Sequence, residues 1–183
     1  MKATGVVRRI DDLGRVVIPK EIRKTLRIRE GDPLEIFTDK DGEVILKKYS
    51  PIGELSEYAS KYAETLAKTT GCACVITDKD TVISISGAPK KEYMDKNISR
   101  ELERLIEDRI FFFTKDKHDK TIPITIYDDN TKYDSQVVYP IIADGDTVGS
   151  ISLISTDEKV KVGETEVKIA KSISMLLGKQ MEN

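Results

Sequence analysis

A ten-residue run, GRVVIPKEIR from Gly14 to Arg23, most constrains what this chain can fold into. Residues 15–18 are typical of a short strand, and Pro19 suits the first position of a helix because its missing N–H costs no hydrogen bond there. The run therefore joins an apolar strand to a helix start. Around it, residues 1–29 carry nine basic and three acidic side chains, a net charge of +6 in a chain whose total is −2. Such polarisation indicates an anionic partner, and a nucleic acid is the first candidate.

The residues after Pro19 predict a helix of about two turns over 20–27. Four basic residues recur there at i, i+3, i+4 and i+7 and would form one stripe: Lys20, Arg23, Lys24 and Arg27. Like charges stacked in this way repel, so the stripe costs stability unless something negative lies over it. The alternative is a solvated basic face with no partner.

Three more short strands are predicted in the same region, over 5–10, 34–38 and 43–48. The last two flank Asp41-Gly42, a dipeptide typical of a hairpin turn. Four short strands and one small helix in about 50 residues cannot close a sizeable core alone. We therefore expect a second copy of the chain to complete this module.

Charge divides the chain into two parts, because residues 1–50 carry a net +3 and residues 51–183 a net −5. Two modules with different partners explain this asymmetry most simply. We place a nucleic-acid-binding domain at 1–50, a linker helix at 51–71 and a second domain at 72–183.

The linker helix has five apolar residues spaced 3, 4, 3 and 4 apart: Ile52, Leu55, Ala59, Tyr62 and Leu66. This repeat is typical of helices that pair along a seam. It is equally compatible with a helix lying on the sheet of its own domain.

The remainder predicts an α+β domain, an antiparallel sheet with flanking helices. The expected strands span 72–78, 81–86, 121–127, 135–143 and 147–155. A middle helix has one apolar face, formed by Ile98, Leu102, Leu105 and Ile106, and a closing helix runs from about Gly163 to Met181.

The composition, with 39% hydrophobic and 34% charged residues, is typical of a globular and not a disordered chain. No stretch approaches the roughly 20 apolar residues that a membrane span needs. The first residues lack the apolar core of a signal peptide. We expect a cytoplasmic protein without a membrane partner.

The sequence does not predict an enzyme, because it lacks a glycine-rich phosphate loop, a serine nucleophile elbow and a metal-spaced cluster. Cys72 and Cys74 would lie on one strand face about 7 Å apart, too far for a disulfide, and are expected to be small buried hydrophobes. His118 lies in a polar run and is expected to be a solvated loop residue. The three rings of Phe111–Phe113 cannot all face one side, so one is expected to be exposed. The run is interpreted as a pocket or core wall, with a partner surface or a pocket lid as the alternative.

Residues 4–13 and the run up to Arg23 resemble the DNA-binding domain of the AbrB transition-state regulators. The resemblance extends through Leu26, Gly31-Asp32, Leu34-Glu35 and residues 45–49. It implies a swapped-hairpin β-barrel, in which two chains interleave their strands and present arginines to double-stranded DNA.

Residues 72–183 resemble a GAF domain by the order of their elements. This resemblance implies a pocket for a small molecule, whose binding could shift the geometry of the attached DNA-binding domains, here called heads (residues 1–50). The sequence identifies neither a ligand nor the residues that would contact it. The whole arrangement resembles the stage V sporulation protein T family, whose members are transcription factors of the developing spore that assemble as tetramers.

The AbrB resemblance places the family's DNA-contacting basic positions on Arg8, Arg15, Arg23 and Lys24. Lysine offers a point charge where arginine offers a bidentate fork. We therefore assign base contacts to Arg8, Arg15 and Arg23 and phosphate contacts to Lys20, Lys24 and Arg27, with Arg9 completing the basic set. Residues 1–50 contain neither Asn nor Gln. The amide contact with adenine is thus missing, and we expect DNA shape to contribute to degenerate, A·T-tolerant site choice.

Two other functions are compatible with parts of the sequence. Antitoxins of the MazE type share the swapped-hairpin head and act as autorepressors, but they usually end in a short toxin-binding tail. Some GAF-like proteins reduce methionine sulfoxide with cysteines, but Cys72 and Cys74 lie at a strand start and not in an exposed electropositive loop. A sequence-specific transcription regulator is the function that the sequence favours.

Overall fold

The computed structural model describes residues 5–115, 120–129 and 132–182. The chain forms two compact units, Met1–Tyr49 and Ser50–Asn183. Among the helices within those ranges, none has both the length and the apolar character of a membrane span.

The first unit contains helix α1 (Lys20–Thr25) and the antiparallel strands β1 (Leu34–Thr38) and β2 (Val44–Lys48). The hairpin predicted from Asp-Gly is confirmed. Gly42 takes a left-handed φ of 82° in its turn, a conformation that glycine adopts without steric cost. The Asp39 carboxylate accepts hydrogen bonds from the backbone N–H groups of Asp41 and Glu43 at 3.0 and 2.8 Å.

The strands predicted over 5–10 and 15–18 are not strands in this structure. Residues 5–17 are exposed, and none of them joins a β-ladder within the part of the chain that is described. Alternating polarity marks the two faces of a strand, but a ladder also needs a neighbouring backbone to bond to. The predicted helix was also too long at its end, since α1 stops at Thr25 and Arg27 has a left-handed φ of 52°.

The second unit is a five-stranded antiparallel sheet between two layers of helices. Its strands are β3 (Ala73–Thr77), β4 (Val82–Ser86), β5 (Phe112–Thr114), β6 (Ser135–Ala143) and β7 (Asp146–Ser155), in the order β4-β3-β7-β6-β5. Its helices are α2 (Pro51–Glu54), α3 (Ser56–Thr70), α4 (Lys90–Tyr93), α5 (Arg100–Glu107) and α6 (Glu164–Met181). The α+β architecture predicted from the element order is confirmed.

Alternating residues of the central strands fill two separate cores. Cys74 and Ile76 pack in one core with residues of α2, α3 and α6, whereas Val75, between them, packs in the other with residues of α4 and α5. This follows from the two-residue period of a strand, which sends neighbouring side chains to opposite faces. Helix α3 buries Ala59 and Ala63 completely, so it lies on the sheet of its own unit.

The strand predicted over 121–127 is wrong, and the three-residue β5 occupies the sheet edge instead. Pro123 lacks the N–H that a ladder would need. The Gln136 side chain binds the Ile122 backbone twice, accepting from its N–H at 3.0 Å and donating to its carbonyl at 3.1 Å. Only Thr125 forms an isolated bridge, to Ile98. The Gln136 side chain at Ile122 and the backbone of Asn97 and Ser99 further along therefore hold this segment where the periodicity predicted a strand.

Candidate nucleic-acid interface

The loop from Asp11 to Arg15 is organised by one carboxylate. Asp11 Oδ1 accepts hydrogen bonds from the backbone N–H of Leu13 at 3.0 Å and of Arg15 at 2.8 Å. Asp11 Oδ2 accepts from Arg15 Nε at 2.8 Å. Gly14, with a φ of 75°, lets the chain turn back so that Asp11 N–H donates to the Arg15 carbonyl at 3.0 Å.

This loop leaves the end of the Arg15 side chain available. The side chain is 68% exposed, and its two terminal amino groups make no hydrogen bond within the described residues. Hydrogen bonds from the Arg15 backbone and then from its side chain lower the pKa of Asp11, so Asp11 is a carboxylate at neutral pH. A guanidinium fixed at Nε with free terminal N–H groups is suited to donate to a pair of acceptors.

Helix α1 presents part of the predicted basic stripe. Lys20 and Lys24 are exposed, whereas Arg23 and Arg27 are half-buried. Arg27 lies beyond the end of the helix and so does not continue the stripe, which corrects the prediction of a four-residue row. Arg23 Nε and Arg27 Nη1 are buried and have no hydrogen-bond partner among the described residues. Arg8 and Arg9 lie in the exposed segment before the Asp11 loop.

The end of α1 is a Schellman motif with an arginine at its left-handed position. Ile28 N–H donates to the Arg23 carbonyl at 2.8 Å and Arg27 N–H to the Lys24 carbonyl at 3.4 Å. Glycine usually occupies the position that Arg27 takes here, because a left-handed φ brings a Cβ too close to the backbone. The turn therefore carries steric strain at Arg27.

A half-buried ion pair secures that strained turn. Lys48 Nζ donates to the Arg27 carbonyl at 2.9 Å and lies 2.9 Å from Asp32 Oδ2. Asp32 also accepts from Arg29 N–H at 2.8 Å. Burial alone raises the pKa of Asp32, but these hydrogen bonds outweigh it and the net pKa is lowered. Asp11, Asp32 and Lys48 were not predicted as positioning residues. For Asp11 a signal was available, because an Asp stands four residues before an Arg across a Gly turn.

The second unit contains a polar cluster on the core face that α4 and α5 cover. Asp128 Oδ1 lies 2.6 Å from Lys132 Nζ, and Oδ2 accepts from Tyr133 OH at 2.7 Å and from Thr125 N–H at 2.9 Å. Lys132 Nζ also lies 4.5 Å from the centre of the Tyr93 ring. Burial taken alone raises the pKa of Asp128, but its three hydrogen-bond donors lower it overall from 3.8. The cluster is satisfied from within the chain.

The two cysteines are buried and unpaired, as the sequence predicted. Burial raises the pKa of the Cys74 thiol strongly and that of the Cys72 thiol as well, so neither is a thiolate at neutral pH. The described residues contain no cluster of His, Cys, Asp and Glu that could hold a metal ion. His118 lies outside the described residues. Phe111 is the most exposed of its run and stacks on Tyr139 with ring centres 4.5 Å apart.

These features define a two-unit protein with a basic first unit and an α+β second unit. Residues 54–182 match the family model described as Stage V sporulation protein T C-terminal, transcription factor, and residues 7–54 match the one described as Antidote-toxin recognition MazE, bacterial antitoxin. Stage V sporulation protein T of Bacillus subtilis is 50% identical over 182 residues, which cover 100% of this chain and 99% of that protein. The chain belongs to the stage V sporulation protein T family.

Each unit also has its own relatives. Transition state regulatory protein AbrB of Bacillus subtilis is 54% identical over 69 residues, 34% of this chain and 71% of that protein. The GAF domain of an Acinetobacter phosphoenolpyruvate-protein phosphotransferase covers 69% of this chain and 81% of its own with a TM-score of 0.57 at 10% identity. A free methionine-R-sulfoxide reductase of Thermoplasma acidophilum covers 71% and 94% with a TM-score of 0.55 at 10% identity. At such identities the last two establish a GAF-like fold only.

Proposed function

We propose that this chain is a sequence-specific DNA-binding transcription regulator of sporulation genes, acting as an activator, a repressor or both. One observation carries the proposal: a loop on a basic unit holds the Arg15 guanidinium at Nε and leaves its far end exposed. A planar fork presented in this way matches the O6 and N7 acceptors of guanine in the major groove. Membership in a family described as transcription factors supports the same function.

The roles within the head divide between bases and phosphates. Arg8, Arg15 and Arg23 are proposed to read bases, and Lys20, Lys24, Arg27 and Arg9 to contact phosphates. The buried Arg23 Nε and Arg27 Nη1 lack a hydrogen-bond partner among the described residues but have no surface open to DNA, so the proposed roles of these two side chains rest on the AbrB resemblance and on their other nitrogens.

The head is proposed to work as an intertwined homodimer, and the full chain as a dimer or tetramer. None of the described residues of the first unit is buried. Twelve large apolar side chains there are exposed, among them Val7 at 91% and Val17 at 72%. Interleaving the strands of two chains would cover such residues. Sedimentation of the full chain tests this, and a lone monomer at micromolar concentration would contradict it.

DNA binding is best tested by fluorescence anisotropy over a range of salt. A site is first selected from a random duplex pool with the full chain, and its affinity is then compared with that of scrambled DNA. With on the order of six phosphate contacts per dimer, we expect roughly a thousandfold loss of affinity between 50 and 200 mM salt. A flat salt response, or equal affinity for selected and scrambled DNA, would contradict the proposal.

An antitoxin-like autorepressor is the second candidate, and the match of residues 7–54 to a bacterial antitoxin model favours it. The ordered second unit argues for the regulator, because it occupies the place of a toxin-binding tail. Co-purification of the tagged chain with a small toxin from its source organism would favour the antitoxin.

An enzymatic role for the second unit has little chemical support. The reductase with a similar fold suggests cysteine chemistry, but Cys72 and Cys74 are buried with raised thiol pKa values. We therefore propose no catalytic residues. Assay of free methionine sulfoxide reduction by wild type and a Cys72→Ser, Cys74→Ser variant tests this, with no turnover expected from either.

Ligand binding by the second unit stays a prediction that rests on its GAF-like fold. Screening the full chain against a metabolite set by thermal shift tests it. A hit should also change the affinity of the chain for its selected DNA, because a ligand that shifts the geometry of the heads alters the protein that DNA binds.

A further inference from the structure

Two adjacent carboxylates lie in the loop that presents Arg15. Acidic side chains next to a phosphate-binding surface repel the DNA backbone, and removing such a charge ordinarily raises affinity for any sequence. The presence of Asp11 and Asp12 beside the basic residues therefore needs a compensating role.

The two carboxylates differ sharply in what they contact. Asp11 accepts three hydrogen bonds, two at Oδ1 from the backbone and one at Oδ2 from Arg15 Nε. The side chain of Asp12 is exposed and makes no hydrogen bond within the described residues. The first carboxylate is thus part of the loop, and the second is a charge of the same sign at almost the same place.

The two oxygens of Asp11 also do different work. Oδ1 fixes the backbone of the loop, and Oδ2 fixes the direction of the Arg15 guanidinium. A guanidinium held at Nε can rotate little about its last bonds, so its terminal N–H groups keep one orientation relative to the loop. Reading a base needs such an orientation, whereas contacting a phosphate does not.

We propose that Asp11 is a positioning residue that sets the sequence specificity of DNA binding by holding Arg15 in one orientation at a cost in general affinity. This inference rests on the proposed function, since it requires Arg15 to read a base. It makes Asp11, and not only the basic residues, a determinant of which site the protein selects.

The test compares Asp11→Asn with Asp12→Asn in the full chain. Both variants remove one negative charge from the same loop, but only Asp11→Asn replaces the acceptor for Arg15 Nε with an NH₂ donor while an oxygen remains for the two backbone N–H groups. The ratio of affinities for selected and scrambled DNA should fall about tenfold in Asp11→Asn, within the range for losing one good base contact. In Asp12→Asn affinity for both DNAs should rise together and the ratio should stay within twofold.

Arg15→Ala supplies the readout that separates positioning from a loss of loop structure. In the Arg15→Ala background, adding Asp11→Asn should leave the ratio unchanged, because there is no guanidinium left to hold. Asp11→Ser, whose hydroxyl can still cap the loop, serves as the second variant if Asp11→Asn does not fold, and it should show the same tenfold fall.

Three outcomes would count against the inference, and they point to different errors. If wild type discriminates between the DNAs and Asp11→Asn behaves like Asp12→Asn, Asp11 does not set specificity and the proposed function stands. If Asp11→Asn still lowers the ratio in the Arg15→Ala background, Asp11 acts through some other group. If wild type itself does not discriminate, the proposed function fails and this inference with it.

Discussion

The two units of this chain treat their apolar residues in opposite ways. Among the described residues, twenty-seven apolar side chains of the second unit are buried on the two faces of one sheet, whereas none of the first unit is buried. A chain of about 50 residues buries too small a fraction of its surface to be stable without help. The contrast supports the proposal that the first unit becomes a stable domain when a second chain covers its apolar residues, whereas the second unit already has its own cores.

The largest expected effect comes from placing a charge on the hairpin of the first unit. Ile36 pairs with Leu46 on the hairpin face that also carries Leu34 and Val44, and it is 69% exposed in the single chain. If a second chain covers that face, Ile36→Asp should destabilise the dimer by at least about 3 kcal/mol, as an unpaired buried charge does. Sedimentation should show dissociation, with DNA affinity lost at least a hundredfold.

Tyr127→Asp is the matched control, because Tyr127 is 72% exposed in the second unit. It should change stability by no more than about 0.5 kcal/mol, as is usual for surface substitutions. If Ile36→Asp and Tyr127→Asp have equally small effects, the first unit is not covered by another chain and the comparison fails.

In the second unit, a substitution at the tight contact between α6 and the sheet should destabilise the protein nearly as much as Ile36→Asp does. A Cβ added at Gly178 would collide with the Ile142 carbonyl. Gly178→Ala should therefore lower the free energy of unfolding by about 3 kcal/mol, as overpacking of a close contact does. Urea denaturation, followed by a spectroscopic signal from the second unit, measures this change in the free energy of unfolding. Ser172→Ala, an exposed position on the same helix, should be close to neutral.

Stability of the second unit should also depend on Asp128 in acid. Its folded pKa is lowered from 3.8, so the stabilisation is present above pH 4 and is lost as the pH falls through the still lower folded value. Asp128→Asn should cost about 2 kcal/mol at pH 7 by breaking the hydrogen bonds of a buried carboxylate. It should also flatten the loss of stability between pH 4 and pH 2. The exposed Asp146→Asn should retain the wild-type profile.

The smallest expected effect comes from Arg27→Gly, which should raise the stability of the head and weaken its binding to DNA. Arg27→Gly relieves the left-handed strain at the end of α1 and should stabilise the head by about 1 kcal/mol. Loss of a phosphate contact should reduce the salt slope of DNA binding by about 1 per chain. Arg27→Lys retains the strain and the charge, so both quantities should match wild type. A stabilised Arg27→Gly with an unchanged slope would remove Arg27 from the DNA contacts.

Sequence patterns predicted best what depends on neighbours in the chain. The hairpin around Asp41-Gly42, the start of α1 after Pro19 and the strand over 135–143 all follow from local rules. The strand over 121–127 was wrong because the backbone groups of this segment bond to the Gln136 side chain and to the backbone of Asn97 and Ser99, outside the sheet. Contacts of that kind leave no period in the sequence.

The candidate site shows the same division. The basic residues of the site could be predicted from the composition of residues 1–29. Their individual roles depend on which carboxylate and carbonyl groups accept hydrogen bonds from them. The link from Asp11 to Arg15 spans one turn and was open to prediction from spacing. The link from Lys48 to the Arg27 carbonyl joins residues 21 positions apart and was not. The expectation of a β-barrel came from the family resemblance alone. Such a barrel needs strands from two chains, and no pattern within one chain specifies it.

The alternation along β3 has an evolutionary consequence. Because Cys74, Val75 and Ile76 serve opposite cores in turn, deleting or inserting a single residue would send every later side chain of the strand to the wrong layer. Changes in length should therefore be tolerated at the turns, such as Asp78–Asp80 or Asp144-Gly145, and purged from the strands. Related sequences should therefore differ in the length of their turns and keep the same number of residues in each strand.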